Sequence, residues 1–242
     1  MERQVVNNNV FFDPDAFAAQ LPEGAVRYLH HAIQPGAPIA RSAQIRFHGR
    51  LRMQPRWPWL PFSARQAVQV GQGFQFEARA WLGPLSVTTE ERYDSYAAHS
   101  RIRFLGLIPV ATNGGPDMQR AARQRLVVES IWLPSAFLPT SGAVWSEQNG
   151  QLRLVVPVHG EEVAATLGIG PSGDLRELQI ERWSNLTDDG GYTWIPFAAQ
   201  VTAERTFGDY TIPSEVQATW WAGTERAFAF FHATVDAATF AR

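Results

Sequence analysis

Residues 129–139 read ESIWLPSAFLP, one carboxylate and two serines inside an apolar run closed by prolines. Glu129 is the member that could do chemistry. The preceding segment, GPDMQRAARQRLVVESIWL (115–133), carries the spacing of a helix that Pro116 and Asp117 start and Pro134 stops. At about 100° per residue, Met118, Ala122, Leu126 and Leu133 share its dry face, and Glu129 falls at the centre of that face with Arg125 at its margin. A carboxylate so placed has two uses. Paired with Arg125, or with a strand arginine such as Arg92 or Arg205, it pins the helix to whatever it packs on, the commoner fate of a buried carboxylate. Left in an apolar, aromatic-lined cavity, it serves as a general acid or base in a cofactor-independent cyclase, isomerase or hydrolase.

Other groups can share that space. Tyr93 and Glu91 alternate with outward-facing residues in LSVTTEERYD. In AFAFFHATVD, alternation sets Phe228, Phe230, His232 and Thr234 on one face. Trp132 and Trp220 are further aromatic candidates. Around Glu129 as the catalytic candidate, the ligand-binding set is therefore Arg125, Trp132, Tyr93, His232 and Trp220. Ser130 and Ser135 have no base beside them and read as turn residues.

Much chemistry is excluded. Cysteine is absent, and all 21 basic residues are arginine, so thiolate, Schiff-base and P-loop lysine chemistry are unavailable. No G-x-S-x-G, H-E-x-x-H or dinucleotide-type glycine loop occurs. His30 and His31 are adjacent on a helix and diverge too far to hold one ion, and the other histidines lack ligand spacing. No metal and no cofactor are expected. A net charge of −2 speaks against nucleic acid as a partner. No apolar run of about 18 residues offers a membrane span, and MERQVVNNNVFFDPDAF lacks a basic segment followed by an apolar one. The expected location is cytoplasmic.

The elements that must position these residues are mostly strands. Residues 13–33 read as helical with a break near Pro22-Glu23-Gly24, and Pro35–Pro38 ends the segment. From there the pattern has period two: in SAQIRFHGRLRM, Ile45, Phe47, Leu51 and Met53 face one way and Arg46, His48, Arg50 and Arg52 the other. GFQFEARAW, LSVTTEERYD, HSRIRFLGLIPV and six segments of the second half repeat it, about ten strands joined by turns such as Asn149-Gly150 and Ser172-Gly173. Short spacing points to an antiparallel sheet, sandwich or open barrel. With no linker or repeat, residues 1–242 read as one domain: a helical N-terminal segment over 1–38, then a half-barrel over 39–242 with the helix 115–133 inserted.

Several strings carry a resemblance. RYLHHAI (27–33), RFLGLIPV (103–110), GPDMQRAARQRLVVESIWLPSAFLP (115–139), WIPF (194–197) and ERTFGDYTIPSEVQATWW (204–221) resemble an uncharacterised bacterial domain family with ES-x-WLPSA and RTFG-x-Y-x-IP signatures. That family transfers no catalytic residue. More loosely, SGDLRELQIERW … ERTFGDYTIPSEVQATW resembles the LolA-like lipoprotein-carrier architecture, in which a curved antiparallel sheet is plugged by helices over an acyl-binding cavity. The resemblance implies a mainly β, α+β fold: a curved antiparallel sheet, or open half-barrel, with a helix packed on its concave side. The function it implies is binding of an apolar small molecule or lipid, with Glu129 and Arg125 as the polar floor.

Overall fold

The structure, a computed structural model, describes residues 11–242, so the reading of the first ten residues as lacking a leader lies outside it. Two helices, α1 (Asp15–Ala18) and α2 (Glu23–Ala32), precede six strands: β1 (Ser42–Leu51), β2 (Leu60–Gln69), β3 (Gly73–Leu82), β4 (Leu85–Tyr93), β5 (Ala98–Phe104) and β6 (Ile108–Asn113). Helix α3 (Pro116–Glu129) and three short 3-10 turns lead into seven more: β7 (Val144–Gln148), β8 (Gln151–Val158), β9 (Glu161–Ile169), β10 (Leu175–Ser184), β11 (Thr193–Phe207), β12 (Tyr210–Trp220) and β13 (Phe228–Ala241).

All thirteen strands belong to one sheet in the order β6-β5-β4-β3-β2-β1-β13-β12-β11-β10-β9-β8-β7. Every pairing is antiparallel, and the first and last strands meet at the centre, Ile45 opposite Ala238 and Phe47 opposite Val235. The sheet is thus a meander whose two edges, β6 and β7, are left unpaired. Residues 114–143, which contain α3, must carry the chain from one edge to the other. Helix α3 forms the first part of that connection, touching β3 and β5 on one flank and β9 and β10 on the other. A helix of this length spans about 21 Å at 1.5 Å per residue, far less than thirteen flat strands at about 4.8 Å each. The sheet is therefore curved.

The face under the helices is the core. Ala43, Ile45 and Phe47 of β1, Phe62 and Val68 of β2, and Phe74 and Phe76 of β3 are buried there, while Arg46, Arg65 and Glu77 alternate to the outer face. Phe47 sits at the centre, its ring stacked on Trp132 at 5.4 Å and edge-on to Phe62 and Phe231.

Three strands depart from the sequence pattern. Strand β2 is not evident in the sequence because Gln66 stands at an inward position. HSRIRFLGLIPV is a hairpin rather than one strand: Leu105 (φ 53°) and Gly106 (φ 73°) take the left-handed conformation of a tight reversal between β5 and β6. Strand β7 is too short to show a period. The helix also ends earlier than Pro134. Ser130 Oγ donates to Leu126 O at 2.7 Å, and the chain tightens into a 3-10 turn over Ser130–Trp132. Glu129 is consequently the last α-helical residue.

Candidate functional site

Glu129 is 8% exposed, and both its oxygens are engaged. Oε1 accepts from Arg125 Nε at 2.8 Å, one turn back on α3. Oε2 accepts from Gln66 Nε2 at 2.7 Å, from the centre of β2. Arg125 reaches further: Nη1 donates to Glu91 Oε2 on β4, and the guanidinium lies 4.8 Å from the ring centres of Phe74 and Phe76. Burial alone would lower the Arg125 pKa, but the Glu91 and Glu129 carboxylates overcome it and hold it above its ordinary value. The result is a desolvated Glu–Arg–Glu triad resting on an aromatic floor. Arg92 and Arg205, the other arginines considered as partners, point elsewhere: Arg92 pairs with Asp94, and Arg205 donates to the carbonyls of Val235 and Asp236.

A second set of contacts crosses between the sheet's two flanks. Tyr93, the last residue of β4, meets His159 of the β8–β9 turn, Oη to Nδ1 at 2.8 Å. Beside them Arg123 of α3 pairs with Glu161 of β9 at 2.6 Å. The helix start is held by Asp117, which accepts from Trp183 Nε1 at 2.8 Å, while Arg120 covers the same indole.

The third feature is Arg182 on β10. Its neighbours Leu178 and Ile180 are buried on the helix side of the sheet, and the guanidinium lies 4.8 Å from the Phe197 ring centre and 4.7 Å from that of Trp220. Nε is buried without a hydrogen-bond partner, and among the described residues Arg182 is in no ion pair. Burial, then the positive charge of Arg125, push its pKa down to about 10. An unpaired guanidinium held among aromatic rings is costly and calls for an anion or a reason.

Around Arg182 the inner face opens. On β4, Tyr93 is buried, Glu91, Thr89 and Val87 are half-buried and Leu85 is exposed; on β5 burial at Ala98 and Ser100 gives way at Ile102 and Phe104. The same gradient runs from Phe47 to Leu51 on β1, from Phe62 to Leu60 on β2, and from Ala233 to Phe231, Phe230 and Phe228 on β13. One end of the inner face is therefore packed, and toward the other its apolar side chains are only half-buried.

The structure brings Glu129, Arg125 and Glu91 together, places Tyr93 at the end of β4 on the same inner face, and sets Trp132 against Phe47 at the centre of that face. Trp132 is buried and donates Nε1 to Pro213 O at 3.1 Å. Trp220 belongs to the Arg182 side, edge-on to Phe197 at 5.1 Å. His232 goes elsewhere. A bulge opposite Ala218/Thr219 shifts the alternation of β13, so Phe231 and Ala233 face inward, and His232 turns to the outer face, 4.8 Å from Trp59. The sequence pattern missed Gln66 and Arg182. Each is a polar residue at an inward position of a strand, a signal visible only once the strand register is known.

An open, curved antiparallel sheet with one helix that touches both of its flanks and seats a buried carboxylate–guanidinium triad defines the class of protein. The chain belongs to a family of unknown function, DUF6544, whose model matches residues 11–233. No curated protein matches it. Similar solved structures include a domain from Vibrio parahaemolyticus named for outer membrane lipoprotein sorting (TM-score 0.44, 6% identity, 82% of this chain and 85% of that one). A LolA superfamily protein from Nitrosomonas europaea gives a TM-score of 0.41 at 6% identity over 90% of this chain and 92% of that one. A DUF1329 family protein from Desulfovibrio piger gives 0.44 at 7% identity over 95% and 94%. These are likenesses of fold. The cytoplasmic location expected from the sequence runs against the outer-membrane sorting named for one of them and is withdrawn.

Proposed function

We propose that the protein binds an amphiphile, a lipid or similar apolar molecule with an anionic head, in the uncovered end of the half-barrel. The observation that carries this reading is the pairing of a half-buried apolar end of the inner face, a trough in this reading, with a half-buried arginine whose Nε has no partner among the described residues. Phe228, Phe230 and Phe231 on one side and Val87, Ile102 and Phe104 on the other supply apolar surface for a chain. Arg182, over Phe197 and Trp220, supplies the charge for a carboxylate or phosphate. In this reading α3 lies on the concave side, which its contacts with both flanks of the sheet support. Glu129 is then an anchor rather than an acid–base group, a role supported by the engagement of both its oxygens.

The test is uptake of a fluorescent fatty acid by the full chain in detergent-free buffer, alongside native mass spectrometry of the purified protein. Saturable uptake, weakened about tenfold or more by Arg182→Met and by Phe230→Ser, is expected. Uptake that neither substitution alters, or no uptake at all, overturns the reading.

A further inference from the structure

Three hairpin turns at the open end of the sheet share an unusual composition. In an antiparallel meander alternate turns lie at the same end, so the β1–β2 connection (52–59), the β3–β4 turn at Gly83-Pro84 and the β5–β6 turn at 105–107 sit side by side. Each exposes large apolar side chains. Met53 is 56% exposed and Trp57 51%, Leu82 is 57%, and Leu107 and Ile108 are 83% and 57%. Leu105, also exposed, takes φ 53° in the β5–β6 turn, a left-handed conformation that a leucine adopts only under constraint.

The charges around these turns have one sign. Residues 49–60, 78–89 and 101–115 contain Arg50, Arg52, Arg56, Arg79, Arg101 and Arg103 and not one aspartate or glutamate. Of these, Arg103 is neutralised by Glu90. Arg50 and Arg52 flank the Trp59 ring at 5.1 and 4.7 Å. The turns at the same end of the other half are different in kind, with Asp188 and Asp189 after β10 and Glu225 before β13. The β10–β11 turn and the first residues of β11 also expose Tyr192 and Trp194, but beside those carboxylates; apolar tips with arginines and no acidic residue in the turn segments mark the rim of β1–β6.

We infer that this rim docks on an anionic lipid bilayer. Apolar tips borne on separate hairpins can each enter the interface independently, tryptophans suit the headgroup level, and arginines pair with lipid phosphates. A second copy of the chain is a poorer occupant, because a two-fold contact through this rim would set arginine against arginine. The rim borders the uncovered trough, so a docked protein would open toward the bilayer. The inference stands on the rim alone, and its test is separable from that of the trough.

The test is co-sedimentation of the full chain with vesicles of phosphatidylcholine, alone or mixed with phosphatidylglycerol. Binding to the mixed vesicles, weakened by salt, is expected. Arg56→Glu should weaken it by about fivefold or more, and the double substitution Leu107→Asp/Ile108→Asp by about tenfold or more. Tyr96→Asp, an exposed aromatic at the opposite end of β4, should bind like the parent, and so should Arg182→Met. The inference is overturned by absence of sedimentation, by equal losses for the rim and Tyr96 variants, or by parent-like binding of Leu107→Asp/Ile108→Asp. A concentration-dependent dimer that Leu107→Asp dissolves, without vesicle binding, would assign the rim to a second copy instead.

Discussion

Tyr93 and His159 touch, Oη to Nδ1 at 2.8 Å, although seven strands separate β4 from β9 in the sheet. Eight inter-strand steps of about 4.8 Å make roughly 38 Å along the sheet. One hydrogen bond closes that interval because the sheet curls until its flanks meet. Arg123 and Glu161 repeat the link alongside. The half-barrel is thus held by side chains across its gap, not by strand pairing at its edges.

Removing that link should loosen the barrel without unfolding it. Tyr93→Phe is expected to cost about 1 kcal/mol, a fall in Tm of about 2–4 °C for a chain of this size. In a double-mutant cycle with His159→Phe the two losses should be markedly non-additive; simple additivity would show that the contact contributes nothing.

Glu129→Gln tests anchor against acid. It leaves Arg125 with Glu91 as its one carboxylate partner in a desolvated site, and a loss of about 3 kcal/mol in chemical denaturation is expected. Gln66→Leu strips the donor from Glu129 Oε2 and should cost less, about 1–2 kcal/mol. Unchanged stability of Glu129→Gln would remove the anchor role.

Arg182 should show the opposite sign. Its guanidinium is held charged in the fold at neutral pH although burial pushes its pKa down to about 10. The unfolded chain binds that proton more tightly, so the charge opposes folding below pH 10 and the penalty fades only above it. Arg182→Met should therefore raise stability by about 1–3 kcal/mol while weakening fatty-acid uptake. A destabilised Arg182→Met protein would mean that the arginine is structural.

His232 predicts a pH effect on the outer face. Burial, then the charges of Arg50 and Arg52, lower its pKa below the ordinary histidine value. The unfolded chain takes up the proton first, so this contribution to stability is complete at neutral pH and is lost as pH falls below about 6.5. His232→Gln should flatten the acid limb of a Tm-against-pH profile measured between pH 7.5 and 5, a window set by the histidine range. An unchanged slope would place the titration elsewhere.

How far these features can be read from sequence differs from strand to strand. The alternation of LSVTTEERY sets Leu85, Val87, Glu91 and Tyr93 on the inner face, where the structure has them. The dry stripe of α3 is equally plain, and with it the neighbourhood of Arg125 and Glu129. Strand β2 escapes notice because Gln66 interrupts its inward row, yet that interruption is the donor to Glu129. His232 is misdirected by one residue of bulge in β13, which reverses the facing of everything beyond it.

What is local is legible in the chain: mainly β segments, a wet and a dry side for most strands, one long helix with a carboxylate on its dry face. Periods of two and 3.6 residues are set by backbone geometry within a few residues, so they survive without tertiary information. Only tertiary packing sets β4 against the β8–β9 turn, shares Arg125 between Glu91 and Glu129, and leaves Arg182 Nε without a partner among the described residues. It also decided that three distant hairpins form one rim. These follow from twist accumulated over thirteen strands and from bulges that reset register, and neither leaves a periodic trace in the chain.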